Sequence, residues 1–335
     1  MLDTLFFSIN AIFPILLLVV LGYVIKTLKM GDSEFYTKLN SICFTIFLPI
    51  SLFNNIYSIE DLGDVNWNVA VYCVFGIFVC FFIGYIAAKI FVKERTQKGV
   101  IIQSAFRSNY SIIGLTLAEA LGGHSAVAFA TIISAVSIPL YNILAVVSLE
   151  LYSGNEDEKT SVHKILIKTI QNPLIIGIML GILCLIVRML LPLNDSGQPL
   201  FMIKNNIPFL YSALQNVGKI ASPLMLVVLG AQFDFGAAAQ LLKQIILGTS
   251  LRLVVSPLLG IGIAVLLKDF LNLTTLEMPA LIAMFSTPVA VSSVVMTEQS
   301  GGDGQLAAQL VVWTSILSIF TMLVITFTLK TFGLV

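Results

Sequence analysis

Charge is scarce in this sequence. Only 11% of its 335 residues are Asp, Glu, Lys or Arg, against roughly 25% in a soluble domain. Basic and acidic residues balance at 18 each, so there is no basic footprint for nucleic acid. Histidine is nearly absent. His124 and His163 lie far apart and offer neither a zinc site nor the base that a serine nucleophile needs. The four cysteines, Cys43, Cys73, Cys80 and Cys184, sit in apolar runs and form no CxxC pair. They read as small hydrophobes. No GxGD occurs, and Asp234 at a helix end is the one aspartate the apolar runs offer, which speaks against an intramembrane aspartyl protease. No enzyme, cofactor or metal is expected, and no appended segment suggests a receptor.

What the chain has instead is hydrophobic length. Apolar residues make up 58% of it, and the mean hydropathy is +0.98. A bilayer turns that surface from a liability into a requirement. Met1-Leu2-Asp3 opens without the basic stretch of a secretory signal, so 5–27 reads as a first span. Further spans are expected at 36–57, 68–92, 99–121, 125–152, 164–191, 207–233, 240–267, 277–299 and 305–330. The fold class is therefore all-α integral membrane, with ten transmembrane helices.

Lysine and arginine orient these spans. One set of loops holds Lys26, Lys29, Lys38, Lys89, Lys93, Arg95, Lys98, Lys159, Lys164, Lys168 and Lys243. The other holds Arg188, Lys204, Lys268 and Lys330. The positive-inside rule puts the first set in the cytoplasm and both termini outside, in a cell inner (plasma) membrane. Arg107, Lys219 and Arg252 fall inside predicted spans.

The two halves resemble each other. Pro14 and Leu21-Gly22 match Pro173 and Leu180-Gly181 at the same spacing. LPISL from Leu48 matches SPLML from Ser222. FRSNYSIIGLTLAEALGG from Phe106 aligns without gaps on FSTPVAVSSVVMTEQSGG from Phe285. Residues 1–152 thus form one five-helix repeat, 153–163 a cytoplasmic linker, and 164–335 a second repeat. An odd number of spans inverts the second copy, an architecture recurrent in secondary transporters.

Spans 4 and 9 are broken by polar residues. Arg107, Ser108, Asn109, Tyr110 and Ser111 precede Gly114 in one; Ser286, Thr287 and Pro288 interrupt the other. Matched breaks at mid-span point to a substrate site, because freed backbone groups are tolerated only where they line a cavity or meet a ligand. A kink patched by Ser and Thr is the bland alternative. Arg107 could grip a carboxylate, lie near the membrane surface, or pair with Glu119 or Glu298. Asn142 and Gln232 are further binding candidates, as is Arg252 more weakly. Gly114, Glu119, Glu298 and Lys219 are assigned gating or structural roles.

These motifs resemble the auxin efflux carrier family, within the bile-acid, arsenite and auxin type of inverted-repeat carriers. The resemblance rests on IFPILLLVVLGYVIK (Ile12 to Lys26), LNSICFTIFLPISLF (Leu39 to Phe53), SNYSIIGLTLAEALGG (Ser108 to Gly123) and SPLMLVVLGAQF (Ser222 to Phe233). It implies a scaffold of helices 1, 2, 6 and 7 and an elevator-type transport domain of helices 3–5 and 8–10. Helices 4 and 9 would cross at the site. It also implies organic anions as cargo, such as malate, malonate or auxin-like acids, with proton or sodium coupling, and a homodimer through helices 2 and 7. Asn109 and Pro288 fall where the family places its two crossings. Many members carry proline in or just after the first break, where Thr116 follows Gly114-Leu115 here. The short linker suits a prokaryotic member. A sodium-coupled symporter of the bile-acid type is the alternative; it calls for acidic or multi-carbonyl ion sites, and no Asp or Glu is close in sequence to Asn109 or Pro288.

Overall fold

The computed structural model describes residues 2–58, 66–153, 167, 169–192 and 199–335, with side chains described except at 2–12, 15, 111, 112, 115, 116, 124, 125, 128, 135 and 235. From residue 154 on, the expected 153–163 linker lies outside the described residues. Among these residues the architecture is helical throughout, and the one β-type pairing is an isolated bridge between Ser108 and Val289. Seven helices are long and apolar enough to cross a bilayer: Ser33–Tyr57, Trp67–Phe91, Phe129–Glu150, Pro173–Leu190, Pro208–Gln232, Leu242–Leu266 and Gly304–Thr331. Leu2–Thr27 is a further helix of 26 residues.

Helix starts follow local chemistry. Asp32, Asn66, Asn172 and Asp303 each accept a hydrogen bond from a backbone N–H in the first turn that follows, the usual way to satisfy an orphan donor. Pro173, Pro208 and Pro279 stand in first turns, where the missing N–H costs nothing. The expected start of span 6 at residue 164 lies outside the described residues. Residues 167, 169 and 170 are helical, and the helix breaks before Pro173 because the residue before a proline is pushed out of the helical region. Asn172 is extended, with ψ 127°. Hydropathy also does not foresee the single π turns at Cys43–Phe47, Leu251–Val255 and Leu258–Gly262.

The surface is that of a bilayer protein. Val71, Phe75, Phe78, Phe82, Ile86 and Ile90 recur at helical spacing along Trp67–Phe91, and all are exposed. A continuous apolar stripe of this length is stable only against lipid. Without a hydrophobic drive between helices, close packing must hold them together. Glycine supplies it. A methyl group on Gly22 would overlap the Val227 carbonyl, and one on Gly230 would overlap the Val19 carbonyl. Gly177 makes the same kind of approach to the Pro49 carbonyl, and Gly181 a looser one to Ile56 and the Phe53 carbonyl.

The helices fall into two sets by contact. Leu2–Thr27, Leu48–Tyr57, Pro173–Leu190 and Pro208–Gln232 pack on one another. Trp67–Phe91, Arg95–Phe106, Leu115–Glu150, Met278–Ser286, Ser292–Gln299 and Gly304–Thr331 form the other set. We expect Gly230→Leu to force the first set apart and to destabilise the protein by roughly 1–3 kcal/mol, the usual cost of overpacking. Thermal unfolding in mild detergent measures it. An unchanged midpoint would mean that Gly230 is not a contact.

Candidate functional site

Two chain segments leave the helical conformation in mid-molecule and meet. Arg95–Phe106 ends where Arg107 turns extended, with φ −79° and ψ 102°. Met278–Ser286 ends where Thr287 does the same, with φ −71° and ψ 156°. The segments run antiparallel. Asn109 N–H donates to the Pro288 carbonyl at 2.9 Å, and Ala290 N–H donates to the Arg107 carbonyl at 3.3 Å. The hydroxyls of Ser108 and Thr287 bond at 2.5 Å. Val289 N–H finds Thr314 Oγ at 3.1 Å. Pro288 suits this crossing because it has no N–H to satisfy.

Arg252, fully buried, stabilises the ends of both helices. It sits on the Leu251–Val255 π turn, and its guanidinium donates to three carbonyls: Thr287 at 2.7 Å, Met284 at 2.8 Å and Phe106 at 3.2 Å. These carbonyls lie at the C-terminal ends of Met278–Ser286 and Arg95–Phe106, where orphan acceptors and the negative pole of the helix dipole meet. Sequence reading ranks Arg252 as a weak binding candidate. Its geometry is that of a cap for two helix ends.

Arg107 faces the other way. It is 2% exposed, and Nη2 donates to Asn142 Oδ1 at 2.9 Å and Ser292 Oγ at 2.8 Å. Nη1 lies 3.4 Å from Gln103 Oε1 and also touches Met296 Sδ. All four partners are neutral. Among the described residues no carboxylate pairs with Arg107, so neither Glu119 nor Glu298 neutralises it. A guanidinium deep in a membrane costs about 3 kcal/mol even on insertion scales, and neutral hydrogen bonds offset that only in part.

Arg107 lines a small cavity of about 50 Å³ with Ser108, Asn109, Tyr141, Asn142 and Ser292 on one wall and Ser51, Asn55, Ser222 and Met225 on the other. That volume holds a few waters. Among the described residues no Asp or Glu lines it. Asn109 is 2% exposed, and its side-chain Nδ2 has no hydrogen-bond partner among the described residues. A buried donor without an acceptor is costly, which makes this amide a candidate to meet a bound solute.

The cavity thus gathers Arg107, Ser108, Asn109 and Asn142 from the expected site residues. Thr287 and Pro288 sit at the crossing beneath them. Ser286 Oγ donates to the Ile282 carbonyl at 2.5 Å, and Tyr110 Oη donates to the Ala130 carbonyl at 3.0 Å. Ser111 has no described side chain. Gly114 packs under the Tyr110 ring. Gln232 lies elsewhere, at the end of Pro208–Gln232, where its carbonyl accepts from Gln305. Glu119 and Lys219 are exposed. Glu298 accepts a hydrogen bond from buried Asn40. Ser51, Asn55, Tyr141 and Ser222 escape sequence reading. Ser51 and Ser222 stand in the similar LPISL and SPLML motifs, which is the available signal.

A helical membrane protein with a polar crossing at its core matches the membrane transport protein family model over residues 7–326. This chain belongs to the auxin efflux carrier family. A protein of Methanothermobacter thermautotrophicus described as an uncharacterized transporter is similar at 22% identity over 323 residues, covering 94% of this chain and 96% of that protein. The family is one of membrane transporters, and several apolar helices make this member a multi-pass membrane protein.

We expect Arg252→Gln to cost roughly 2–4 kcal/mol, because charged hydrogen bonds are lost and buried carbonyls are left unmet. Loss of monodisperse protein in detergent, or a large fall in the unfolding midpoint, is the readout. A fully stable variant would show that the helix ends need no cap.

Proposed function

We propose that this carrier moves small organic anions by alternating access, with the solute bound at the crossing. One observation carries the reading. The guanidinium of Arg107 is buried, opposed by no carboxylate among the described residues, and set in a cavity beside the unpartnered Asn109 amide. The Ser292–Gln299 helix begins at the same cavity, and the positive pole of its dipole favours an anion. A carboxylate would accept from Arg107 Nη and Asn109 Nδ2 together, which is the charge-assisted geometry that a low-dielectric site strengthens.

The frame for this is ten spans in two inverted repeats. Under the gap-free alignment Ser108 corresponds to Thr287 and Asn109 to Pro288. Those same pairs bond to each other, as positions beside a two-fold axis must. The glycine contacts support the same relation. Gly22 approaches Val227, and its repeat mate Gly181 approaches Phe53, the mate of Val227. The two contact sets of helices are then scaffold and transport domain. The cavity lies between them, lined from both sides, and is too small for a dicarboxylate, so relative movement of the two sets must open it. The family resemblance further implies a homodimer through helices 2 and 7.

Two experiments test the reading. Arg107→Gln should fold normally and lose affinity for anionic ligands about 10- to 100-fold, while neutral analogues of the same shape lose far less. Asn109→Ala should cost about 5- to 100-fold in affinity. Dicarboxylates and aromatic acids form the panel, with binding read by thermal shift and transport in proteoliposomes. Equal losses for charged and neutral ligands would make Arg107 structural, and unchanged transport in Asn109→Ala would move the site elsewhere.

The orientation is tested separately. Lys93 and Ser58 are exposed at opposite ends of the Trp67–Phe91 region. With the basic loops in the cytoplasm, Ser58→Cys should react with an impermeant maleimide in intact cells and Lys93→Cys only after lysis. The opposite pattern would invert the protein.

A further inference from the structure

Lys219 has no role in the crossing, yet its position is anomalous. It lies near the middle of Pro208–Gln232, about 16 Å from one end and about 20 Å from the other at 1.5 Å per residue. It is exposed. An ammonium at that depth is not stable against acyl chains, and such residues face a partner, a cavity or water. No carboxylate pairs with it among the described residues.

The helix carries more polar residues around it. At about 100° per residue, Gln215 falls on the face of Ser222, which lines the crossing cavity. Lys219 and Ser212 lie within about 80° of that face, and Ser212 is exposed as well. Exposed Asn216 continues the polar sector, and only then do Phe209 and Ile220 restore an apolar one. The neighbouring helix mirrors this. Ser51 and Asn55 line the cavity, and Ser58, three residues on, is exposed. The two helices run side by side there. Asn54 Nδ2 donates to the Leu214 carbonyl at 2.7 Å, and the Tyr57 and Tyr211 rings are 6.2 Å apart. Two polar stripes therefore climb from one cavity to one end of the molecule, the end at Ser58 and Pro208.

We propose that these stripes wall a water-filled vestibule to the crossing, and that Lys219 is its recruiting cation, a specificity-determining residue that raises the local concentration of anions ahead of Arg107. The inference rests on the anion-carrier reading and extends it. Lys219 sits one helical turn before Ser222 on the way in, so a solute passes its field before it meets Arg107. Converging low-dielectric walls focus such a field, which acts on encounter more than on final affinity and fades with salt.

The test does not require the natural substrate. Ser222→Cys is placed in a Cys184→Ser background, Cys184 being the half-exposed one of the four cysteines. The thiol is then reacted with an anionic and a cationic methanethiosulfonate of similar size at low ionic strength. The anionic-to-cationic rate ratio, normalised to a free thiol, should exceed one. It should fall about 3- to 10-fold with Lys219→Gln, recover with Lys219→Arg, and converge for all variants near 0.5 M salt, where screening is short-ranged. An unreactive Ser222→Cys would overturn the vestibule. A ratio indifferent to Lys219→Gln would overturn the role of Lys219. Oxidative cross-linking of Lys219→Cys between two copies would place the residue in a dimer face instead. None of these results depends on Arg107→Gln, so failure here and failure of the crossing site are separable.

Discussion

Breaking a helix inside a membrane frees backbone donors and acceptors where no water waits to receive them, and each unmet group costs kilocalories. This protein does so twice at one place. The two breaks satisfy each other: Asn109 N–H with the Pro288 carbonyl, and Ala290 N–H with the Arg107 carbonyl. Thr314 takes Val289 N–H. Arg252 takes three more carbonyls. Neither break is tolerable without the other, so the crossing binds elements that are about 180 residues apart into one object. The cavity exists because this pairing is nearly complete, and its remainder is a side-chain amide and a guanidinium.

Arg107 and Arg252 show how partner chemistry separates structure from function. Both are buried and neither has a carboxylate. Arg252 commits its planar fork to main-chain carbonyls at helix ends, which hold partial negative charge already. Its own charge is thereby largely met, and nothing is left to offer a solute. Arg107 touches two amide oxygens, a hydroxyl and a thioether. These orient it without neutralising it, and they line or border the cavity. Under the proposed function an anion would complete the second environment, and the first leaves it no place.

The sequence carries much of this in plain form. Hydropathy locates the long helices, and polar residues in the middle of apolar runs locate both breaks. The repeat alignment sets Asn109 opposite Pro288 before any contact is visible. What it cannot carry are bonds whose partners are carbonyls, because every residue has one. Arg252 binds the backbone of Phe106, Met284 and Thr287, and no residue type at those positions announces it. The π turns are hidden for the same reason, being backbone features within continuous apolar stretches. Gln232 reads as a binding candidate because it is polar within an expected span, though one residue from that span's end. Its helix ends there, which places it beside Gln305 rather than at the crossing. Polarity within a span gives a candidate, and only its height along the helix separates a site from a terminus.

The contacts of the first helix set differ in kind inside the set and outside it. Inside the set, glycines bring backbones into direct contact: Gly22 on Val227, Gly230 on Val19, Gly177 on Pro49. Such seams interlock and do not slide, since any side chain displaced onto them would overlap a carbonyl. Between the sets, on the end away from Ser58, the links are long polar side chains. Asn40 meets Glu298, Gln305 reaches the Gln232 carbonyl, and Gln309 reaches the Asp234 carbonyl at 2.7 Å. Each exchanges for water at a net cost of about 1 kcal/mol. Leu2–Thr27 also packs on Gly304–Thr331, so the seam between the sets combines helix packing with exchangeable hydrogen bonds, whereas the inner seams are backbone on backbone. The crossing cavity lies on that seam, and under the alternating-access proposal a motion that opens these polar links would also enlarge the space around Arg107.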